Sequence, residues 1–243
     1  MKNLKPFVAV AAALASIHTL SAADITGKVT LKGTPPKGPE YDISTDAACG
    51  SPPAAAKRNA PWYIVDKDGG LAEAFVYLKS VPGTFTAPTT AAVLDQVNCE
   101  YTPYIMGVQT RQTIQVKNSD KGLHNVHVTP TTGSSNPESN KAQMAGQPAL
   151  TYSFTAQEIF LRFKCDVHAW MNAYVSVLPH PFFAVTKADG TFTIKNVPAG
   201  TYTVEAVHRK TQPTGTGGPS KSVTVGAANV TADFTIDAPA ATP

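Results

Sequence analysis

The sequence predicts an all-β protein. Three observations carry that reading: Gly and Pro recur, at 17 and 20 of 243 residues; apolar residues alternate with polar ones in short runs; and no stretch keeps an apolar stripe at helical spacing. A chain of this length permits one large β domain or two small ones.

In order from the N-terminus, Lys2 and Lys5 precede an apolar run from Phe7 to Ala15 that ends near Ser21-Ala22-Ala23. A positive flank, an apolar stretch too short to cross a bilayer and small residues at a cleavage point mark residues 1–22 as a signal peptide. The mature chain is therefore expected to be exported, periplasmic or secreted. No Cys stands at the cleavage point, so no lipid anchor is expected, and no later apolar run is long enough to span a membrane.

The chain carries 20 Lys and Arg against 17 Asp and Glu, and Lys2 and Lys5 leave with the leader. The remaining basic residues are scattered and do not interleave with aromatic ones, which argues against a nucleic-acid partner. Three cysteines are an odd number for an exported protein. If Cys165 holds a metal, pairing favours a Cys49–Cys99 disulfide over two separate buried thiols, and a loop of that length stabilises by roughly 4 kcal/mol in the chain-entropy account.

Asp24 to Leu31 reads as the first strand, ended by the Pro- and Gly-rich run 32–39, and Ser51 to Arg58 as a surface connection. Asp66-Lys67-Asp68-Gly69-Gly70 is a turn between Trp62–Val65 and Ala74–Leu78. Val93–Val97, Tyr104–Val108 and Thr113–Asn118 supply further strands. The polar turn after Asn118 leads into His124-Asn125-Val126-His127-Val128-Thr129, where His124, Val126 and Val128 share one face and Asn125, His127 and Thr129 the other. His124 is thus the candidate ligand and His127 is not. Residues 130–140 form a polar excursion without a core signal, and Met144 near its end is a gap-filler more than a ligand.

The stretch from Phe163 to Met171 organises the rest. Ile159, Leu161, Phe163 and Cys165 alternate on one face before it, and Met171, Ala173, Val175 and Val177 on one face after it. The short loop therefore joins inward-facing Cys165 and Met171 and carries His168 between them. A thiolate, an imidazole and a thioether, completed by His124 from a separate strand, form the His2Cys set with an axial Met that suits blue copper. Zinc needs no thioether, and the remaining alternative is a degenerate site without metal.

Leu123-His124-Asn125-Val126-His127, followed by Cys165-Asp166-Val167-His168-Ala169-Trp170-Met171, resembles the cupredoxins, with a short Cys-to-Met loop similar to that of amicyanin. The resemblance covers about residues 90–178. It implies a Greek-key β-sandwich, one type 1 copper ion on His124, Cys165, His168 and Met171, and Asn125 reaching Asp166 to tie the ligand strand to the loop. Asp166 departs from the Ser or Thr usual there; a carboxylate beside a copper thiolate would lower the potential or change that hydrogen bond. The resemblance also implies that His168 emerges through an apolar patch of Val167, Ala169 and Trp170 and serves as the electron port, a small transient docking face for a redox partner protein.

After Leu178 the composition changes. Asp189-Gly190-Thr191-Phe192-Thr193-Ile194, then Val197-Pro198-Ala199-Gly200-Thr201-Tyr202-Thr203-Val204, is similar to the carboxypeptidase regulatory-like domain, a small transthyretin-like sandwich. No catalytic residues come with that likeness. Ile25 to Val29 resembles, weakly, the opening of the same domain type. The expected organisation is a leader over 1–22, a cupredoxin-like domain with an N-terminal extension over 23–179, a second sandwich over 180–238 with a flexible loop at Thr211–Ser220, and a disordered tail over 239–243.

His180 and His208 are left over, either surface residues or neighbours of the copper approach. Nothing places an acid, a base or a substrate pocket beside the metal, so the expected function is one-electron transfer without turnover chemistry. The alternatives are a structural or adhesive β protein with a degenerate site, and a copper chaperone, whose usual Met- and His-rich tract is absent.

Overall fold

The computed structural model describes residues 21–44, 46, 49, 57–60 and 62–239. Residues 1–20 of the expected leader, most of the Ser51–Arg58 connection and the tail beyond residue 239 lie outside the described residues. Among the described residues there is no helix. The strands are β1 (Ala22–Lys32), β2 (Glu40–Asp42), β3 (Lys57–Asn59), β4 (Phe75–Leu78), β5 (Ala92–Val97), β6 (Glu100–Thr102) and β7 (Ile105–Gln109). There follow β8 (Ile114–Asn118), β9 (His124–Thr129), β10 (Ser139–Gln143), β11 (Leu150–Tyr152), β12 (Glu158–Lys164) and β13 (Asn172–Leu178). The last six are β14 (Phe183–Val185), β15 (Thr191–Pro198), β16 (Gly200–Val207), β17 (Ser220–Val225), β18 (Val230–Thr231) and β19 (Phe234–Asp237).

Two sandwiches result. The first pairs a sheet of order β10-β9-β12-β13-β7 with one of order β11-β8-β5-β6, and its core joins Leu94, Val116, Val126, Val128, Leu161, Phe163, Cys165, Met171 and Val175. The second faces β14-β4-β16-β17 against β15-β1-β18, with β19 also on β1. Ile25, Val29, Val76 and Leu78 there meet Phe192, Ile194, Val204 and Ile236.

This arrangement corrects the expected boundary at 179/180. β1 and β4 belong to the second sandwich: Gly27 pairs with Phe192 in an antiparallel register, and Val29 to Lys32 run parallel to Phe234–Asp237. The alternating apolar side chains of β1 need an opposite sheet to bury them, and the C-terminal strands supply it. The ligand-bearing sandwich is thus inserted into the second one, between β4 and β14.

The two sandwiches share a third apolar layer. Phe75, Tyr77 and Val207 pack on Ile105, Phe160, Tyr174 and Leu178. A Cβ on Gly107 would lie 2.4 Å from the Phe183 ring, so only glycine lets β7 approach that closely. β13 is consequently buried on both faces from Ala173 to Leu178, one against the core of the first sandwich and one against the second sandwich.

Strict alternation fails in β12. The register against β13 shifts between Glu158 and Leu161, and Phe160 has φ 63°. This bulge re-aims Ile159 with Phe160 into the shared layer, so Ile159 does not join the face of Leu161, Phe163 and Cys165. Nearby, the buried Glu158 carboxylate accepts hydrogen bonds from the Thr131 amide, Ser134 and Asn136, and so anchors the polar excursion. The Thr211–Ser220 loop is tethered rather than free: the amides of Thr211 and Gln212 donate to the His208 carbonyl, and a Cβ on Gly215 would lie 2.3 Å from Ile159.

Candidate metal centre

β9 delivers His124 at its first residue and β12 leads directly into Cys165, and the two strands pair with His127 opposite Lys164. The loop between β12 and β13 is pinned by two backbone bonds, Cys165 N–H to the Met171 carbonyl and Met171 N–H to the His168 carbonyl, both 3.0 Å. These constraints bring Nδ1 of His124 within 3.1 Å of Nδ1 of His168, and Sγ of Cys165 within 3.5 Å of the latter. Ligand atoms of His124, Cys165 and His168 all lie within 4.8 Å of one another, and all three residues are buried. Met171 is fully buried in the same core cluster as Cys165.

The outer ring nitrogens explain the inner ones. Nε2 of His124 donates to Asp120 at 2.9 Å, and Nε2 of His168 donates to Asp46 at 2.8 Å. A carboxylate on each Nε2–H fixes the tautomer that leaves both Nδ1 lone pairs facing inward, the usual support of a metal-bound histidine. Burial holds the His124 imidazole below its ordinary pKa, against the opposing pull of Asp120. The amide of Asn125 donates to Cys165 Sγ at 3.3 Å. His124 and His168, with ring nitrogens 3.1 Å apart, could both serve as ligands of one ion. The donor set fits a soft or borderline cation.

Cys49 and Cys99 form a disulfide, as pairing arithmetic expects, which leaves Cys165 as the free thiol. The disulfide is built into the site. Asp120 accepts the amides of Asn98 and Cys99, and Cys49 Sγ lies 3.6 Å from Nε2 of His168.

Two expectations are corrected. His168 does not emerge at the surface: it is 3% exposed, covered by Asp46, Cys49 and the ring of Trp170 at 5.1 Å. Asp46 and Cys49, the latter held by the disulfide, lie against the ring. Trp170 is itself half-buried and donates Nε1–H to the Cys99 carbonyl. Asn125 also does not reach Asp166. Its amide donates to Asn140, whose own amide donates to Asp166 at 2.7 Å, because β10 pairs with β9 and sets Asn140 opposite His127. Asp166 further accepts Lys164 and His127, each at 2.8 Å. Chiefly the Lys164 ammonium, with His127 and Asn140, holds its carboxyl down at about 2.

His127 is no ligand, and bridges Asp166 to Glu138 instead. Met144 is exposed. His180 and His208 lie in the second sandwich, His180 bonded to the Leu78 carbonyl and His208 stacked on Tyr63 at 4.7 Å. Asp120 and Asp46 escaped the sequence reading. Asp120 had a usable signal, four residues before His124 in a turn; Asp46 had none.

A match to one protein family agrees with a β-sandwich architecture. The beta-sandwich domain of ER membrane protein complex subunit 7 matches residues 166–212, a minority of the chain running from the ligand loop past β16. No curated protein sequence matches significantly. Among solved structures, the chain is similar to a purple cupredoxin from Nitrosopumilus maritimus, at 18% identity over 36% of this chain and 97% of that one, with a TM-score of 0.30. It is similar to a reduced Cu(I) form of an amicyanin variant, at 20% identity over 42% of this chain and 97% of that one, with a TM-score of 0.32. It is also similar to a copper-containing nitrite reductase from Thermus scotoductus SA-01, at 16% identity over 41% of this chain, with a TM-score of 0.32, and spans only 25% of that chain.

Proposed function

We propose that the chain is an exported type 1 copper protein that carries single electrons through a centre held by His124, Cys165, His168 and Met171. The observation that carries this reading is the pair of imidazole Nδ1 atoms turned toward Cys165 Sγ while both Nε2 atoms are held by carboxylates. Copper bound there supplies a one-electron couple whose two oxidation states accept the same ligand set. The chain's part is to keep that set still. Asp120 and Asp46 fix the two rings, the Asn125 amide holds the sulfur, and the core around Met171 excludes water.

The protein is read as a carrier rather than an enzyme, since among the described residues the acids nearest the ligands, Asp120 and Asp46, are engaged with the two imidazoles. Its partner is a redox protein docking on the loop side. There Val167 and Leu123, the residues preceding the two histidine ligands, are 56% and 42% exposed. With His168 covered, electrons leave through the covering layer rather than through a solvent-facing imidazole. Export is supported by the N-terminal leader pattern and by the Cys49–Cys99 disulfide, which suits an oxidising compartment. The second sandwich is read as a structural module of the carboxypeptidase regulatory-like kind, on the strength of the Asp189–Val204 run that forms β15 and β16.

The match over residues 166–212 favours a second reading, a structural β protein without redox chemistry. Titrating the metal-free protein with copper separates the two. The carrier reading expects one tightly held copper per chain, lost in Cys165→Ala, with reversible oxidation and reduction. Failure to bind at micromolar copper supports the structural reading, and rapid Cu(I) release to a competing thiol would indicate a chaperone.

A further inference from the structure

A cavity of ≈ 240 Å³ opens beside the ligand loop, where the two sandwiches meet the segment around β2 and β3. Its walls are aromatic: Tyr41, Trp62, Tyr104, Trp170 and Tyr174 all face it. Tyr41 sits 5.8 Å from Trp170, and Tyr104 meets Tyr174 edge-on at 5.5 Å. Such faces and edges accept a further ring in stacked or T-shaped geometry. An apolar cavity of about 150 Å³ takes a benzene, so this one holds a single substituted ring.

The polar content of the cavity selects among such rings. Glu73 lines it and sits at φ 60°, and its carboxyl makes no hydrogen bond or ion pair among the described residues. Burial, aided by Glu100, pushes this carboxyl up to about 7. A half-buried carboxyl without a partner is a recognition element in search of a hydrogen bond. Two acidic side chains on the wall disfavour an anionic ligand. A cationic one is disfavoured because the Trp62 face already carries Lys210 at 4.5 Å and the Tyr174 face carries Arg209 at 4.2 Å. What remains is a neutral ring bearing a hydroxyl.

We infer that this cavity is a binding site for a single-ring phenol, its ring against Trp62 and Trp170 and its hydroxyl on the Glu73 carboxyl. A ring seated there lies against Trp170, whose own ring is 5.1 Å from that of His168. The site goes beyond the copper reading and does not depend on it, since none of its walls is a proposed ligand.

The chain has 2 tryptophans, and both line the cavity, so the tryptophan emission of the metal-free protein reports on it directly. Titration with p-cresol should quench that emission saturably, with an isothermal calorimetric signal of the same affinity. Glu73→Ala should weaken binding about tenfold, the equivalent of one hydrogen bond to a carboxyl, while Glu73→Gln, which keeps a hydrogen-bonding head, should restore most of it. Thermal melting of each variant establishes that it is folded. Trp62→Leu should weaken binding comparably and serves if Glu73→Ala does not fold. The inference is overturned if p-cresol does not saturate at millimolar concentrations, if cyclohexanol binds as well as p-cresol, if benzoate or benzylammonium binds more tightly, or if folded Glu73→Ala and Trp62→Leu both bind like the wild type.

Discussion

His168 donates Nε2–H to Asp46 at 2.8 Å, across 122 positions of sequence. The ring that a surface electron port would present to solvent is instead bonded to Asp46 and lies beside the Cys49–Cys99 disulfide. The same carboxylate fixes the orientation of the ring whose Nδ1 faces Cys165. Asp46→Asn replaces an ionised acceptor by a neutral amide and should raise the reduction potential of the copper-loaded protein by about 60 mV or less. Film voltammetry reads it; a lowered potential contradicts the role given to Asp46.

The disulfide closes a loop of sequence separation 50. The double variant Cys49→Ser with Cys99→Ser should lose roughly 4 kcal/mol of stability in the chain-entropy account and expose His168 to solvent. Urea unfolding of the metal-free protein measures the first, and the reactivity of His168 toward diethyl pyrocarbonate the second. Unchanged reactivity would mean that the cap holds without the covalent link.

His208 is buried, and that burial, with Lys210 and Arg209 nearby, depresses its pKa to about 4. The unfolded chain takes up a proton near the ordinary value of about 6.5, which the folded chain refuses until about 4. Stability from this group is therefore complete above pH 6.5 and lost as pH falls from there toward 4, by at most about 3 kcal/mol. Urea midpoints at pH 7 and pH 4.5 should separate more in the wild type than in His208→Gln, and equal separations would refute the assignment.

Gly107 marks where the sandwiches touch. Gly107→Ala places a methyl 2.4 Å from the Phe183 ring and should destabilise the protein by about 1–3 kcal/mol. Thermal melting checks it; a neutral effect would show that β7 and β14 can part at little cost.

Much of the centre is legible in the sequence because it is a problem of period two. Val126 and Val128 place His124 inward, and Phe163 places Cys165 inward, so the alternation of two strands predicts which side chains can meet. It fails where a strand bulges, as at Phe160, since one left-handed residue sends its neighbours to the other face. It also fails for pairing across the whole chain. Nothing local in Val29–Lys32 says that it runs beside Phe234–Asp237, and so the boundary at 179/180 that the local pattern suggests differs from the one the strands make. Asp46 is invisible for the same reason, because an isolated acid in a loop carries no pattern that points to a ring so far along the chain.

The central claim is that Nδ1 of His124, Nδ1 of His168 and Sγ of Cys165 hold one copper ion. Its most direct test is the optical spectrum of the copper-reconstituted protein in the oxidised state. The account predicts an intense thiolate-to-copper band near about 600 nm that bleaches on reduction and is missing in Cys165→Ala. A protein that takes up one equivalent of copper and stays colourless would contradict it.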